Sequence, residues 1–206
     1  MGVFMYDTII IGAGVTGLAT SMYAGRLNLK TLVLGQASGS ERPIGGVITL
    51  TEIVENYPGF IKLTGQELAS NLEKHAKTYS EFVEIKESSA TEIKSEAGCF
   101  NVITDKNDNY QTKTIIFATG TKWRKLPMKG AKELENRGVH YCALCDGPLT
   151  KGKIVAVVGG SDTAAKEALL LSEYASEVYI IYRGEEIKSE PVNAKRVKNI
   201  NQDKHR

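Results

Sequence analysis

Tyr6-Asp7-Thr8-Ile9-Ile10-Ile11-Gly12-Ala13-Gly14-Val15-Thr16-Gly17 is the stretch on which the fold turns. Its apolar run ends in glycine, and Val15 to Leu27 then carries helical spacing through Leu18 and Met22. Thr31 to Leu34 adds a second apolar strand, so strand, glycine turn, helix and strand follow one another in a single compact unit. In that setting each glycine has a job. Gly12 turns the chain tightly off the strand, Gly14 admits a pyrophosphate to the backbone, and Gly17 lets helix lie close on strand. Free N–H groups and the partial positive charge at the helix start suit phosphate oxygens. The acid that usually meets a ribose hydroxyl about twenty residues on is absent. The second strand ends Leu34-Gly35-Gln36, and the nearest acid is Glu41. Gln36 can bond a hydroxyl, though less strongly than a carboxylate.

The same design returns downstream as Ile154 to Val158, the turn Gly159-Gly160-Ser161-Asp162-Thr163-Ala164, a helix from Thr163 to Ser172, and Val178 to Tyr182. It is a diverged repeat of a nucleotide-binding unit. Ser161 stands where the middle glycine would be, so close phosphate approach there is expected to be strained. Arg183 and Lys188 follow the second strand of this unit. Where NAD sites carry an acid, NADP sites accept an arginine that pairs with the 2′-phosphate. The alternative is two surface cations after an edge strand.

Between the two repeats lies Cys142-Ala143-Leu144-Cys145-Asp146. Two cysteines at this spacing can close a disulfide over one helical turn, and a CxxC thiol tends toward a lowered pKa. Asp146 is placed to act as acid or base for thiol protonation. Structural zinc and ordinary buried cysteine are the alternatives; zinc would need His140, Cys142, Cys145 and a remote ligand such as Cys99. No metal is assigned.

The rest of the chain is organised around these units. Gly35 to Gly59 reads as a long connection rich in Gly, Ser, Pro and Thr, of a length that usually serves a function. Thr64 and Glu67 form a capping box for a helix to about Lys77. Phe82 to Lys86, Ala90 to Ser95, Phe100 to Thr104 and Tyr110 to Lys113 read as an antiparallel meander, after which Thr114 to Ala118 returns as a buried strand. A boundary near Thr121 to Pro127, with Trp123 packed at the junction, divides the chain into residues 1–120 and 121–206. The fold class is α/β, with two Rossmann-like dinucleotide-binding units, the second incomplete, and a small antiparallel β meander.

With 42% apolar and 24% charged residues the composition is that of a soluble globular protein. A net charge of +2 gives no general attraction to nucleic acid or anionic membrane. The basic end from Lys195 to Arg206 reads as a frayed, solvated terminus. No apolar run is long enough to span a bilayer and no signal peptide is read, so neither a nucleic-acid nor a membrane partner is expected. Three cysteines, two of them in one CxxC, suit a reducing compartment.

Taken together, the chain resembles the low-molecular-weight thioredoxin reductases. The shared stretches occur in that family's order: Gly12 to Gly17, Gly45-Gly46, Val54-Glu55-Asn56-Tyr57-Pro58-Gly59, Ala118-Thr119-Gly120, Cys142 to Asp146 and Gly159 to Ala164. The resemblance implies an FAD domain interrupted by an NADPH domain that carries the redox cysteines. Cys145 would face the flavin, Cys142 would exchange with a thioredoxin-like protein, and Asp146 would serve as general acid and base. FAD would lie along Gly12, Ala13, Gly14, Val15, Thr16, Gly17, Gln36, Gly45, Gly46, Asn56, Ala90, Ala118, Thr119 and Gly120. NADPH would lie along Gly159, Gly160, Ser161, Asp162, Thr163, Ala164, Arg183 and Lys188. The family also implies a cytoplasmic homodimer. This sequence departs from the pattern at Val47, which replaces a glutamine, at Ser161, and at Tyr182-Arg183-Gly184, which replaces a His-Arg-Arg run. The family pattern continues past the equivalent of Arg206, so a truncated second domain is expected. The alternatives are a related flavoprotein disulfide reductase with another donor or partner, and a catalytically incomplete fragment.

Overall fold

The computed structural model describes residues 5–36, 44–96, 98–122 and 124–203, with side chains to residue 200. Glu41 and Trp123 lie outside the described residues. The chain divides into two compact units, Met1–Lys122 and Trp123–Arg206.

In the first unit β1 (Met5–Ile11), α1 (Val15–Arg26) and β2 (Thr31–Gly35) form the opening strand-helix-strand. Then come α2 (Gly65–Lys77), β3 (Val83–Glu87), β4 (Ala90–Glu96), β5 (Cys99–Thr104) and β6 (Asn109–Phe117). One six-stranded sheet holds them in the order β3-β2-β1-β6-β5-β4. Strands β3, β2, β1 and β6 run parallel, whereas β6, β5 and β4 are antiparallel.

Two details of the meander differ from the sequence reading. Val83–Glu87 is not part of it; it pairs in parallel with β2 at the opposite edge. Tyr110 to Lys113 and Thr114 to Ala118 are not separate segments, since β6 runs unbroken from Asn109 to Phe117. Residues 109–112 of β6 pair with β5 and residues 111–117 with β1, so the change from polar alternation to an apolar run reflects a change of neighbour rather than a turn.

The core explains why β1 and β2 are continuous apolar runs. Ile10, Leu18, Val33 and Val83 cluster on one side of the sheet, and Tyr6, Ile9, Leu32, Leu34 and Val102 form a second cluster. Ile9, Ile10, Leu18 and Leu32 are fully buried, and burying each such side chain stabilises the fold by about 1.5–3 kcal/mol. Helix α2 begins at the expected capping box. Thr64 Oγ1 accepts the Glu67 N–H at 3.1 Å, and Glu67 Oε2 accepts the Thr64 N–H at 2.8 Å.

The second unit holds the short turn α3 (Ala143–Asp146), β7 (Ile154–Val158), α4 (Asp162–Leu171), β8 (Glu177–Ile181) and α5 (Pro191–Asp203). Strands β7 and β8 pair in parallel as a two-stranded sheet. The basic end is not frayed where it is described: it forms α5, because Asn193 on its first turn is fully buried and bonded to α4. Among the described residues no helix is long and apolar enough to cross a membrane.

Candidate functional site

The first glycine turn sits where the sheet changes direction. From β1 the chain moves to β2 on one side, and β6 arrives on the other. Ligands of open α/β sheets bind outside the carboxyl ends of strands at such a switch point. Gly12 donates its N–H to the Leu34 carbonyl at 2.7 Å, and Ala118 donates to the Ile11 carbonyl at 2.8 Å. A side chain on Gly12 would collide with the Ala118 carbonyl, and one on Gly17 with the Gly12 carbonyl. Those two glycines are therefore demanded by the protein itself.

Gly14 is different. A Cβ there would meet only Gly45 O at 3.7 Å and Gly46 Cα at 3.8 Å, ordinary contacts, and its φ of −84° is open to any residue. The fold does not require glycine at 14. The space left by the missing side chain lies at the start of α1, whose first turn carries no acidic residue and whose N-cap has no side-chain bond. Free helix N–H groups beside a side-chain-free backbone fit a pyrophosphate. Gly45 closes this turn by donating to Ala13 O at 2.9 Å, and Gly14 and Gly45 form a bridge pair. The connection from Gly35 to Gly59 is thus ordered in its described second half, where Val47–Leu50 forms a 3-10 turn.

Around this turn the other FAD candidates are spread along one end of the sheet. Gln36 follows β2, and its Oε1 accepts the Ser89 hydroxyl. Ser88 donates its N–H to Gly35 O at 2.8 Å, while Asp105 accepts from both the Ser88 hydroxyl and the Ser89 N–H. Those contacts fix the end of β2 against the start of β4, where Ala90 lies half-buried. Thr119 and Gly120 follow β6 and are exposed; Asn56 is exposed on the connection before α2.

In the second unit Gly159, Gly160 and Ser161 join β7 to α4. Ser161 is exposed with φ −96° and ψ 177°, an extended conformation that serine adopts freely. The expected strain at this position is not in the backbone. Lys188 donates its N–H to Gly160 O at 2.7 Å and forms a bridge pair with Ser161, which places it against the turn. Arg183 is exposed just past the end of β8. Thr163 is exposed and Ala164 buried on the first turn of α4.

Asp162 is engaged inside the protein. Its Oδ1 accepts from the Glu190 N–H at 2.9 Å and from Asn193 Nδ2 at 2.8 Å, and its Oδ2 pairs with Lys166 at 2.9 Å. Partial burial pushes its pKa up, but these hydrogen bonds outweigh that and hold the carboxyl below the usual aspartate range.

Cys142 and Cys145 are joined as a disulfide with Cα atoms 5.4 Å apart. Cys142 caps the turn, its Sγ accepting the Cys145 N–H at 3.2 Å. Cys145 is exposed and Cys142 half-buried. The third cysteine, Cys99, is free and half-buried at the start of β5. Two carboxylates bracket the disulfide turn. Glu167 on α4 accepts the Ala143 N–H at 2.8 Å, and burial raises its pKa despite that bond. Asp146 Oδ2 lies 3.3 Å from His140 Nδ1. Sequence reasoning missed Glu167, because a glutamate on a helix gives no sign of which tertiary neighbour it meets. His140 was considered only as a zinc ligand; its place two residues before the first cysteine was the available signal.

Residues 6–206 match the model of the pyridine nucleotide-disulphide oxidoreductases. The thioredoxin reductase of Bacillus subtilis (strain 168) is 38% identical over 191 residues, which is 91% of this chain and 57% of that protein. The crystal structure of Lactococcus lactis thioredoxin reductase superposes with a TM-score of 0.85 at 34% identity, covering 93% of this chain and 60% of that one. A ferredoxin-flavin thioredoxin reductase from Clostridium acetobutylicum gives a TM-score of 0.52 at 31% identity, covering 92% and 63%. The chain therefore spans about 57–63% of the length of these relatives.

Proposed function

From the premise that the chain belongs to the pyridine nucleotide-disulphide oxidoreductase family, we propose that it carries the electron path of a thioredoxin-disulfide reductase. Electrons would pass from NADPH through FAD to the Cys142–Cys145 disulfide, and from there to a thioredoxin-like protein. The single observation that carries this reading is the closed disulfide on a one-turn helix in a chain with two dinucleotide-type turns. Thioredoxin reductases among the relatives, from the Bacillus subtilis protein onward, support the same assignment.

FAD would be held by the turn from Gly12 to Gly17 with Gly45, Gly46 and Ala118 to Gly120, and it supplies the two-electron chemistry linking nicotinamide and disulfide. The protein's share is binding and proton handling. The start of α1 offers N–H donors to the pyrophosphate, and Gly14 keeps side-chain atoms out of the way. Gln36, whose Oε1 is held by Ser89, presents its amide at the ribose end. In the second unit the turn from Gly159 to Ala164 would hold NADPH, with Arg183 and Lys188 near the 2′-phosphate. Asp146 donates a proton to a cysteine sulfur when the disulfide opens and takes one back when it closes. The Cys142 thiolate then attacks the partner's disulfide through a mixed disulfide. A cytoplasmic homodimer belongs to the same proposal.

Replacing Cys142 with Ser tests it. Turnover with a thioredoxin is expected to vanish while flavin bleaching by NADPH persists; normal thioredoxin reduction by the variant would refute the assignment. A second reading, a reductase with a donor other than NADPH, has specific support. Ser161 and Tyr182-Arg183-Gly184 depart from the NADPH pattern, and one structural relative is named a ferredoxin-flavin thioredoxin reductase. Stopped-flow bleaching by NADPH, NADH and a reduced ferredoxin separates the donors.

A further inference from the structure

We propose that His140 is a positioning residue for the dithiol, acting through Asp146 to set how readily the reduced cysteine pair ionises. The inference rests on the reading of Asp146 as the acid and base of the disulfide. Three observations carry it. His140 Nδ1 is buried and has no hydrogen-bond partner, yet Asp146 Oδ2 stands only 3.3 Å away. The pair is thus at ion-pair distance but out of hydrogen-bond alignment. A buried nitrogen without a partner is costly, so a carboxylate at this distance is its natural counterpart.

The backbone around His140 is also fixed on both sides. Val139 donates its N–H to Leu134 O at 3.0 Å and accepts from the Asn136 N–H at 2.9 Å. On the other side the Tyr141 hydroxyl accepts the Leu126 N–H at 2.8 Å. Finally, Asp146 belongs to the same single turn as Cys145, so a charge on the imidazole is felt at the sulfur through the carboxylate. Among the described residues, Glu167 from α4 is bonded to the Ala143 N–H of this turn, and Lys125 lies over the neighbouring Tyr141 ring at 4.2 Å and pairs with Glu135.

The proton steps balance. A dithiol reagent is oxidised to its own disulfide and releases two protons to water, while the Cys142–Cys145 S–S bond takes up the two electrons and breaks to leave two thiolates. As one thiolate becomes a thiol, the Asp146 O–H bond breaks and the S–H bond forms. Asp146 regains its proton from water, and the His140 imidazole beside it positions the carboxylate for both transfers.

The test uses the full chain reduced with dithiothreitol, with iodoacetamide alkylation at Cys142 and Cys145 followed by mass spectrometry across neutral pH. His140→Gln removes the imidazole beside Asp146 and is expected to slow alkylation about threefold near neutrality. Asp146→Asn is expected to speed it, and in that background His140→Gln should have little further effect. An unchanged rate in His140→Gln, or an equal slowing in both backgrounds, overturns the inference while leaving Asp146 in its role. No change in Asp146→Asn removes that role, and the inference with it. A second measurement does not depend on the His140 variant folding: the ring nitrogen resonances of His140, followed by NMR at fixed pH, should shift in Asp146→Asn. Resonances that stay put count against the pairing.

Discussion

The turn after β1 is built into a six-stranded sheet, with β2 on one side and β6 on the other, whereas the turn after β7 stands on a two-stranded sheet. The first is closed by its neighbours, since Gly12 and Gly17 have no room for a side chain. The second is open: Ser161 is exposed, and Ile154, Val158, Tyr179 and Ile181 are each more than half exposed. One backbone plan therefore serves two kinds of site. In the first, packing dictates Gly12 and Gly17 and places no such demand on Gly14. In the second, a single carboxylate, Asp162, ties the turn to a distant helix.

Substitutions can break this contrast or sharpen it. The largest effect is expected from Gly17→Val, which forces Cβ into the Gly12 carbonyl; urea unfolding should show a loss of about 3 kcal/mol or more. Gly14→Ala should separate binding from folding. Its stability should change by less than about 1 kcal/mol, while the flavin absorption bands of the purified protein should fall sharply. Asp162→Asn should cost about 1 kcal/mol at neutral pH. Because the folded-state pKa of Asp162 lies below its ordinary 3.8, its contribution is fully present above that value and is lost as pH falls through the folded value. The wild-type acid limb should therefore be steeper than that of the variant, as followed by circular dichroism. The smallest effect belongs to Ser161→Gly, where an ordinary extended backbone predicts an unfolding midpoint within experimental error of wild type; a clear rise would show hidden strain.

Much of this was legible because it is written in local pattern. The two glycine turns, the capping box at Thr64 and Glu67, and the CxxC turn all depend on residues within a few positions of one another. Strand partnership was less legible. Val83–Glu87 has the alternation of a meander strand, and nothing within it says that its partner is β2 rather than β4. The run from Lys195 looked like a solvated tail because its lysines and arginine dominate the composition. What makes it a helix is Asn193, a polar residue whose burial depends on a carboxylate in another element. Around the disulfide the same limit hid Glu167, which meets Ala143 only in three dimensions.

Asn193 has one more consequence. Its amide donates to Asp162 while its Oδ1 accepts from Arg196 at 3.2 Å, and no part of it reaches solvent. Sliding α5 by one residue, or rolling it about its axis, would part that buried amide from Asp162. The side chain thus works as an index pin, allowing the helix one seat beside the second glycine turn and making every neighbouring seat costly.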